Sequence, residues 1–244
     1  MRCLNPLKDH LLENLWCPMC MEGGKVFYPR LRKNKKMKIF TLTNDVNFRE
    51  IPFFIDNKLI QEEEHLVWTS TSLKKIRLET ELSDVRVLQG LFKEEEHSRN
   101  PHFLEEYFPK DILNLDFSSQ NQESLCEGEI KKELESMDGI IGLEDRKGAN
   151  GFVLIYTTIL EEAGDLNVNE IKISLGLNEL GQEENVEESV QTISTLEDKK
   201  RNIYNLMKRI CKKYNYNELK INDVLLNIPQ ENKKLYSIAG IFKK

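Results

Sequence analysis

Five short segments between residues 38 and 159 either alternate apolar with polar residues or are apolar throughout. Their β-branched and aromatic side chains are typical of strands. The predicted strands are residues 38–43, 65–71, 85–88, 111–117 and 152–159. The stretches between them are largely polar and helical, with shorter helices predicted at 48–60, 73–82 and 102–108. Because strands that alternate with helices pair in parallel, we predict a mostly parallel sheet.

Helical spacing is clearest after the fifth strand. A first candidate lies before that strand, where apolar residues recur every three or four positions from Ile130 to Ile141, and a short helix is predicted at 169–177. The strongest pattern follows i, i+3, i+4, i+7, i+8 and i+11. Its members are Ile203, Leu206, Met207, Ile210, Cys211 and Tyr214.

Two further strands are predicted at residues 219–228 and 234–242, and the turn between them is short. A turn of that length favours an antiparallel hairpin. The predicted fold class is therefore α/β. It is a Rossmann-like, mostly parallel sheet with a C-terminal antiparallel hairpin, plus a small cysteine-containing element at the N-terminus.

The order of these elements resembles that of the class I S-adenosylmethionine-dependent methyltransferases, across residues 38–244. Sheets of that family have seven strands, and the seventh is inserted antiparallel beside the sixth. The resemblance implies S-adenosylmethionine as the cofactor and group transfer as the activity. It divides the chain into an N-terminal element, residues 1–37, and a methyltransferase-like domain, residues 38–244.

Three landmarks of that family can be compared with this sequence. A glycine-rich loop follows the first strand in the family, whereas residues 44–47 here include Asp45 and no glycine. An acidic residue usually ends the second strand, whereas here the strand ends in Thr69 and two more hydroxyl residues. A motif with Asp or Asn often ends the fourth strand, and here Asn114 and Asp116 stand at that place. The resemblance implies Asp45 and Thr69 as cofactor-binding residues, and Asn114 and Asp116 as catalytic residues.

Asp116 has two interpretations. Open α/β sheets bind ligands at the carboxyl ends of their strands, where an acid can bond a substrate or act as a general base. A carboxylate at this place can equally cap the N-terminus of the next helix.

Cys17 and Cys20 have the spacing of half a zinc site, since two thiolates two residues apart can share one tetrahedral ion. Cys3 and His10 are the nearest residues that could complete the site. The alternatives are free thiols and redox use. The five cysteines are an odd number, which argues against a disulfide framework.

Charge and hydropathy limit the classes of partner. The net charge of −6 predicts no overall attraction to nucleic acid, but the block from Arg30 to Lys38 is basic and could bind phosphates. The alternative for that block is a solvated loop. No apolar run approaches the roughly 20 residues that span a bilayer, and residues 1–10 lack the apolar stretch of a signal peptide. We therefore expect a cytoplasmic protein without a membrane partner.

Two functions remain open at this point. One is a divergent group-transfer enzyme that uses S-adenosylmethionine. The other is a non-catalytic scaffold or adaptor that binds nucleic acid or a protein partner and has a degenerate cofactor site. The glycine-free turn favours the scaffold, whereas the Asn114 and Asp116 pair favours the enzyme.

Overall fold

A computed structural model describes residues 37–42, 60–69, 86–89, 101–117, 130–161, 166–177, 192–193, 195–227 and 233–244. The proposed zinc ligands Cys3, His10, Cys17 and Cys20 lie outside these ranges. Asp45 and nearly all of the basic block from Arg30 to Lys38 also lie outside them, as do the helices predicted at 73–82 and over most of 48–60.

Nine strands lie in the described part of the chain. Seven form one sheet, and they are β1 (Met37–Leu42), β2 (Ile60–Thr69), β3 (Arg86–Gln89), β4 (Ile112–Asp116), β5 (Gly151–Glu161), β8 (Asn217–Asn227) and β9 (Lys233–Lys243). The other two, β6 (Leu166–Asn167) and β7 (Thr192–Ile193), pair with each other in antiparallel orientation.

The described helices are α1 (Ile130–Arg146), α2 (Val168–Ser174) and α3 (Leu196–Lys213), with a 3-10 helix at His102–Tyr107. The hydroxyl of Thr195 accepts a hydrogen bond from the backbone N–H of Asp198 at 3.2 Å, which caps α3 at its start. α3 buries the apolar stripe predicted for it, including the free thiol of Cys211. The predicted structural role of Cys211 is therefore confirmed.

The order of strands across the large sheet is β3-β2-β1-β4-β5-β9-β8. Strands β1 to β5 are parallel to their neighbours, and β9 is antiparallel to both β5 and β8. The mostly parallel sheet with an antiparallel C-terminal pair is therefore confirmed. After β3 the chain returns to the other side of β1, so the order reverses between β1 and β4.

Two segments differ from the sequence prediction. β2 begins at Ile60, five residues before the apolar run at 65, and so includes three consecutive glutamates. Its pairing with β1 shifts register between Met37 and Ile39, which accommodates this polar beginning. The short pair β6 and β7 was not predicted, since residues 161–185 carry no strand pattern.

The hydrophobic core lies between one face of the sheet and the helices α1 and α3. Strand residues Phe40, Leu113 and Leu154 belong to it, together with Leu134 of α1 and Leu206 of α3. The two helices are joined by an ion pair between Lys213 Nζ and Asp138 Oδ2 at 2.9 Å. The opposite face of the sheet is different in character, because it carries a set of buried polar side chains.

Candidate site at the carboxyl edge of the sheet

A row of polar side chains crosses the sheet near the carboxyl ends of its parallel strands. We call it the polar row, and its members are Thr41 of β1, Asn114 and Asp116 of β4, Thr157 of β5 and Ser237 of β9. Strand pairing aligns Thr41 with Asn114, Asp116 with Thr157, and Thr157 with Ser237. Because side chains alternate between the faces of a strand, all five belong to one face.

Every member of the polar row is buried. The hydroxyls of Thr157 and Ser237 form a hydrogen bond at 2.8 Å, and the hydroxyl of Ser237 also donates to the backbone oxygen of Tyr156 at 3.3 Å. Burying a polar side chain is unfavourable unless a hydrogen bond replaces its water. Apolar side chains would avoid that requirement, so five buried polar residues in one row identify this face as the candidate site.

The polar row crosses the point at which the strand order reverses, between β1 and β4. In open α/β sheets, ligands bind in the crevice outside the strand ends at such a point. Asp116 is the last residue of β4 and is 5% exposed. The backbone N–H of Phe117 donates to the oxygen of Thr157 at 2.8 Å, which holds the chain after Asp116 against β5.

A second group of polar side chains lies on the helix side of the same edge. Glu133, in the first turn of α1, is 1% exposed, and the hydroxyl of Tyr156 donates to its Oε2 at 2.5 Å. Burial raises the pKa of Glu133 to about 7. Hydrogen bonding from Tyr156 and Thr158 lowers this pKa, and the charge of Asp116 raises it. Glu133 therefore changes its charge near neutral pH.

The length of β5 explains why these groups meet. β4 pairs with β5 from Val153 to Thr157, and β5 continues for four residues beyond that point. In this extension Thr158 pairs with Tyr236 of β9. The Thr158 hydroxyl is buried and lacks a partner with good hydrogen-bond geometry among the described residues, although it still lowers the pKa of Glu133.

Another buried glutamate of α1 lies at the opposite edge of the sheet. The backbone N–H of Lys110, just before β4 begins, donates to Oε1 of Glu144 at 2.8 Å. Burial raises the pKa of Glu144 to about 8. Since this carboxyl lies at the amino ends of the strands, Glu144 is not part of the candidate site.

The structure brings together two of the predicted site residues, Asn114 and Asp116. Thr69 ends β2, which lies beside β1 at the same edge, but only its backbone is described. Asp45 lies outside the described ranges. Within those ranges no group of three or more His, Cys, Asp or Glu side chains could hold a metal, and the predicted zinc site has none of its ligands there. Zinc therefore stays a prediction.

Sequence reasoning missed Glu133, Tyr156, Thr157 and Ser237. Glu133 could have been found, because Glu133, Met137, Ile140 and Glu144 follow i, i+4, i+7 and i+11 and all four are buried. A glutamate at an apolar position of an amphipathic helix is a signal for a buried acid. The pairing of Thr157 with Ser237 depends on two strands 80 residues apart and had no comparable signal.

The strand order now decides the type of fold. The sheet has seven strands in the order β3-β2-β1-β4-β5-β9-β8, with the last strand of the chain inserted antiparallel between β5 and β8. The chain has a class I methyltransferase-like fold. In this fold, the polar row lies where β1 and β4 separate.

Comparisons with known proteins agree on the fold alone. No family model matches the sequence, and no curated protein matches it. M. jannaschii TYW2 in complex with AdoMet has a TM-score of 0.45 and 8% identity, over 91% of this chain and 77% of its own. Precorrin-6y C5,15-methyltransferase from Geobacter metallireducens has a TM-score of 0.38 and 9% identity, over 88% and 85%. The complex of the Haloferax volcanii Trm112 methyltransferase activator with a methyltransferase has a TM-score of 0.41 and 8% identity, over 93% and 92%. None of the site residues of this methyltransferase-like chain is inferred from them.

None of the helices in the described ranges is long and apolar enough to cross a membrane.

Proposed function

We propose that this protein binds S-adenosylmethionine at the carboxyl edge of its sheet and is a divergent group-transfer enzyme. The observation that carries the proposal is the polar row, which lies at the reversal of strand order and ends in the buried carboxyl of Asp116. A crevice at such a reversal is the usual ligand site of open α/β sheets.

The residues at this edge suit a polar ligand with a positive charge. Thr41, Asn114 and Thr157 present hydroxyl and amide groups, and Asp116 presents a carboxylate. Bound S-adenosylmethionine supplies a methyl group on a cationic sulfonium. The chain's own part would be to orient the acceptor through Asn114 and to take a proton from it through Asp116. Asp45 and Thr69 are the proposed contacts for the rest of the cofactor.

The sequence feature that opposes tight binding is the glycine-free turn at residues 44–47. Side chains at such a turn limit how closely the backbone can approach a ligand, and they exclude most positive φ values. We therefore expect weaker binding than a glycine-rich turn would allow.

Calorimetry on the full chain tests the proposal, with S-adenosylmethionine and its demethylated product as ligands. Binding should be saturable, and Asp45→Ala and Asp116→Asn should weaken it. Asp223→Ala is the control, because Asp223 pairs with Lys200 on β8 at the far edge of the sheet. Thermal unfolding gives a second measurement, since ligand at a hundred times its dissociation constant stabilises by about 2.7 kcal/mol.

The scaffold predicted as the alternative gives the opposite result in this experiment. A protein with a degenerate site should show no heat and no thermal stabilisation at millimolar ligand. That outcome would overturn the enzyme proposal and leave nucleic acid or a protein as the partner, with the block from Arg30 to Lys38 as the proposed contact.

A further inference from the structure

Two buried carboxyl groups from different elements face the same edge of the sheet. Asp116 ends β4, and Glu133 lies in the first turn of α1 on the other side of the strand. They are 5% and 1% exposed. The hydroxyl of Tyr156 fixes one oxygen of Glu133 through its 2.5 Å hydrogen bond. The two acids are therefore held in place by the sheet and by the helix packed on it.

The groups that act on Glu133 in the described part of the chain carry no positive charge. They are the carboxyl of Asp116 from β4 and the hydroxyls of Tyr156 and Thr158 from β5. Hydroxyls stabilise an ionised carboxyl by hydrogen bonding but do not neutralise it. Two nearby buried acids without a cation cannot both ionise easily, because each charge opposes the other.

A positive charge is therefore the missing complement at this edge. Thr158 points to the same conclusion, because its buried hydroxyl still lacks a partner with good geometry among the described residues. S-adenosylmethionine carries a sulfonium cation, whereas the thioether of its demethylated product is neutral. The two ligands otherwise present the same groups to the protein.

We propose that Asp116 and Glu133 hold one proton between them in the ligand-free protein and release it when a sulfonium binds at this edge. This inference rests on the proposed function and adds a specificity-determining role for Glu133, which acts through charge and not through contact with the ligand. Proton release makes the ionised pair the form that binds the cation. The neutral product gains nothing from this ionisation, so the pair favours its departure.

The size of the effect follows from the ionised fraction. Burial raises the pKa of Glu133 to about 7, so about half of the carboxyl is ionised at pH 7. A ligand that binds only the competent fraction loses affinity in proportion to that fraction. We expect the affinity for S-adenosylmethionine to rise about fivefold from pH 6 to pH 7 and about twofold from pH 7 to pH 8. The affinity for the product should be nearly constant.

The experiment is calorimetry at pH 7 in two buffers with different enthalpies of ionisation, using the full chain and both ligands. S-adenosylmethionine should release about half a proton per chain from the carboxyl pair. In Glu133→Gln this release should be lost while binding persists. The amino group of the ligand is common to both proteins, so the difference between them isolates Glu133. Glu144→Gln is the matched control, since Glu144 is a buried glutamate of the same helix at the other edge.

Three outcomes separate this inference from the proposed function. If neither ligand binds, the proposed function fails and this inference fails with it. If S-adenosylmethionine binds but Glu133→Gln releases the same number of protons, only this inference is wrong. If both ligands release protons equally, the sulfonium is not what the pair detects, and the inference is again wrong.

A measurement on the ligand-free protein tests the pair directly. Carboxyl carbon NMR should show Glu133 titrating near pH 7, with the signal assigned by its loss in Glu133→Gln. Asp116→Asn removes the opposing charge and should lower the midpoint. A midpoint near the ordinary glutamate value, or one that Asp116→Asn leaves unchanged, would overturn the inference whatever the ligands do.

Discussion

Glu144 is a buried carboxyl whose replacement should change how stability depends on pH. Its side chain is 0% exposed, and Oε1 accepts the backbone N–H of Lys110 at 2.8 Å. Oε2 has no hydrogen-bond partner in the described part of the chain. A protonated carboxyl tolerates this environment far better than a charged one, because burial penalises the charge. Glu144→Gln keeps an acceptor for Lys110 and cannot ionise.

The sign and size of the effect follow from the two states of the protein. Burial raises the pKa of Glu144 to about 8, from 4.5 for the model carboxyl. Between these two pH values the unfolded chain has lost the proton and the folded chain has kept it. The unfolded state then binds fewer protons, so the free energy of unfolding falls as pH rises. The contribution of the neutral Glu144 is fully present below pH 4.5 and is lost as pH rises to 8. From pH 5 to pH 7 the loss amounts to about 2.5 kcal/mol.

Urea unfolding at pH 5, 6, 7 and 8 measures this effect in the wild type and in Glu144→Gln. The variant should gain stability relative to the wild type at each step up to pH 8. Any fixed cost of burying the amide shifts all points equally and does not alter the slope. Parallel pH curves for the two proteins would refute the reasoning.

Glu105→Gln serves as a control of opposite sign. Hydrogen bonds from His102 and then Lys147 hold the pKa of Glu105 below its ordinary value. A carboxyl of this kind contributes its stability above the unfolded pKa and loses it as pH falls. The difference between the wild type and Glu105→Gln should therefore shrink on acidification, whereas that of Glu144→Gln shrinks for the reverse reason, because it grows only with rising pH.

The remaining predictions concern the helix contact and the N-terminal element. Gly142→Ala should destabilise, because an added Cβ would lie 2.9 Å from the hydroxyl of Tyr214, and the same change in a Tyr214→Phe background should be better tolerated; a double-mutant cycle by urea unfolding would show no coupling if this contact is unimportant. Metal analysis should find about one zinc per chain, lost when Cys17 and Cys20 become serine, and metal-free protein with an ordered N-terminus would contradict the zinc site. Nucleic-acid binding through the block from Arg30 to Lys38 should weaken steeply with salt, and undetectable binding at low salt would leave that block a solvated loop.

The sequence predicted the parallel strands well because each is a compact apolar run. β1, β4 and β5 lie within three residues of their predicted bounds. The beginning of β2 was missed, since its glutamates at 62–64 have no strand propensity and are held in the sheet by pairing with neighbours. α3 begins seven residues before the first residue of its predicted stripe, because its first turn is polar and depends on the cap at Thr195.

The candidate site was predicted only where its residues follow one strand. Asn114 and Asp116 are two residues apart on β4, so their common face follows from alternation. The other members of the polar row come from strands far apart in sequence. Their meeting depends on register and on the insertion of β9 between β5 and β8, which local patterns do not encode.

The two buried glutamates of α1 make the function of Glu133 separable from its burial. Glu133 and Glu144 are eleven residues apart, which is close to three helical turns, so they lie on the same face of α1. Both accept one hydrogen bond at an edge of the sheet, and burial raises the pKa of both. Only Glu133 lies beside Asp116 and the reversal of strand order. A ligand effect that follows Glu133→Gln and is absent in Glu144→Gln therefore arises from the position of the acid at the carboxyl edge, and not from the general cost of burying a carboxyl in this core.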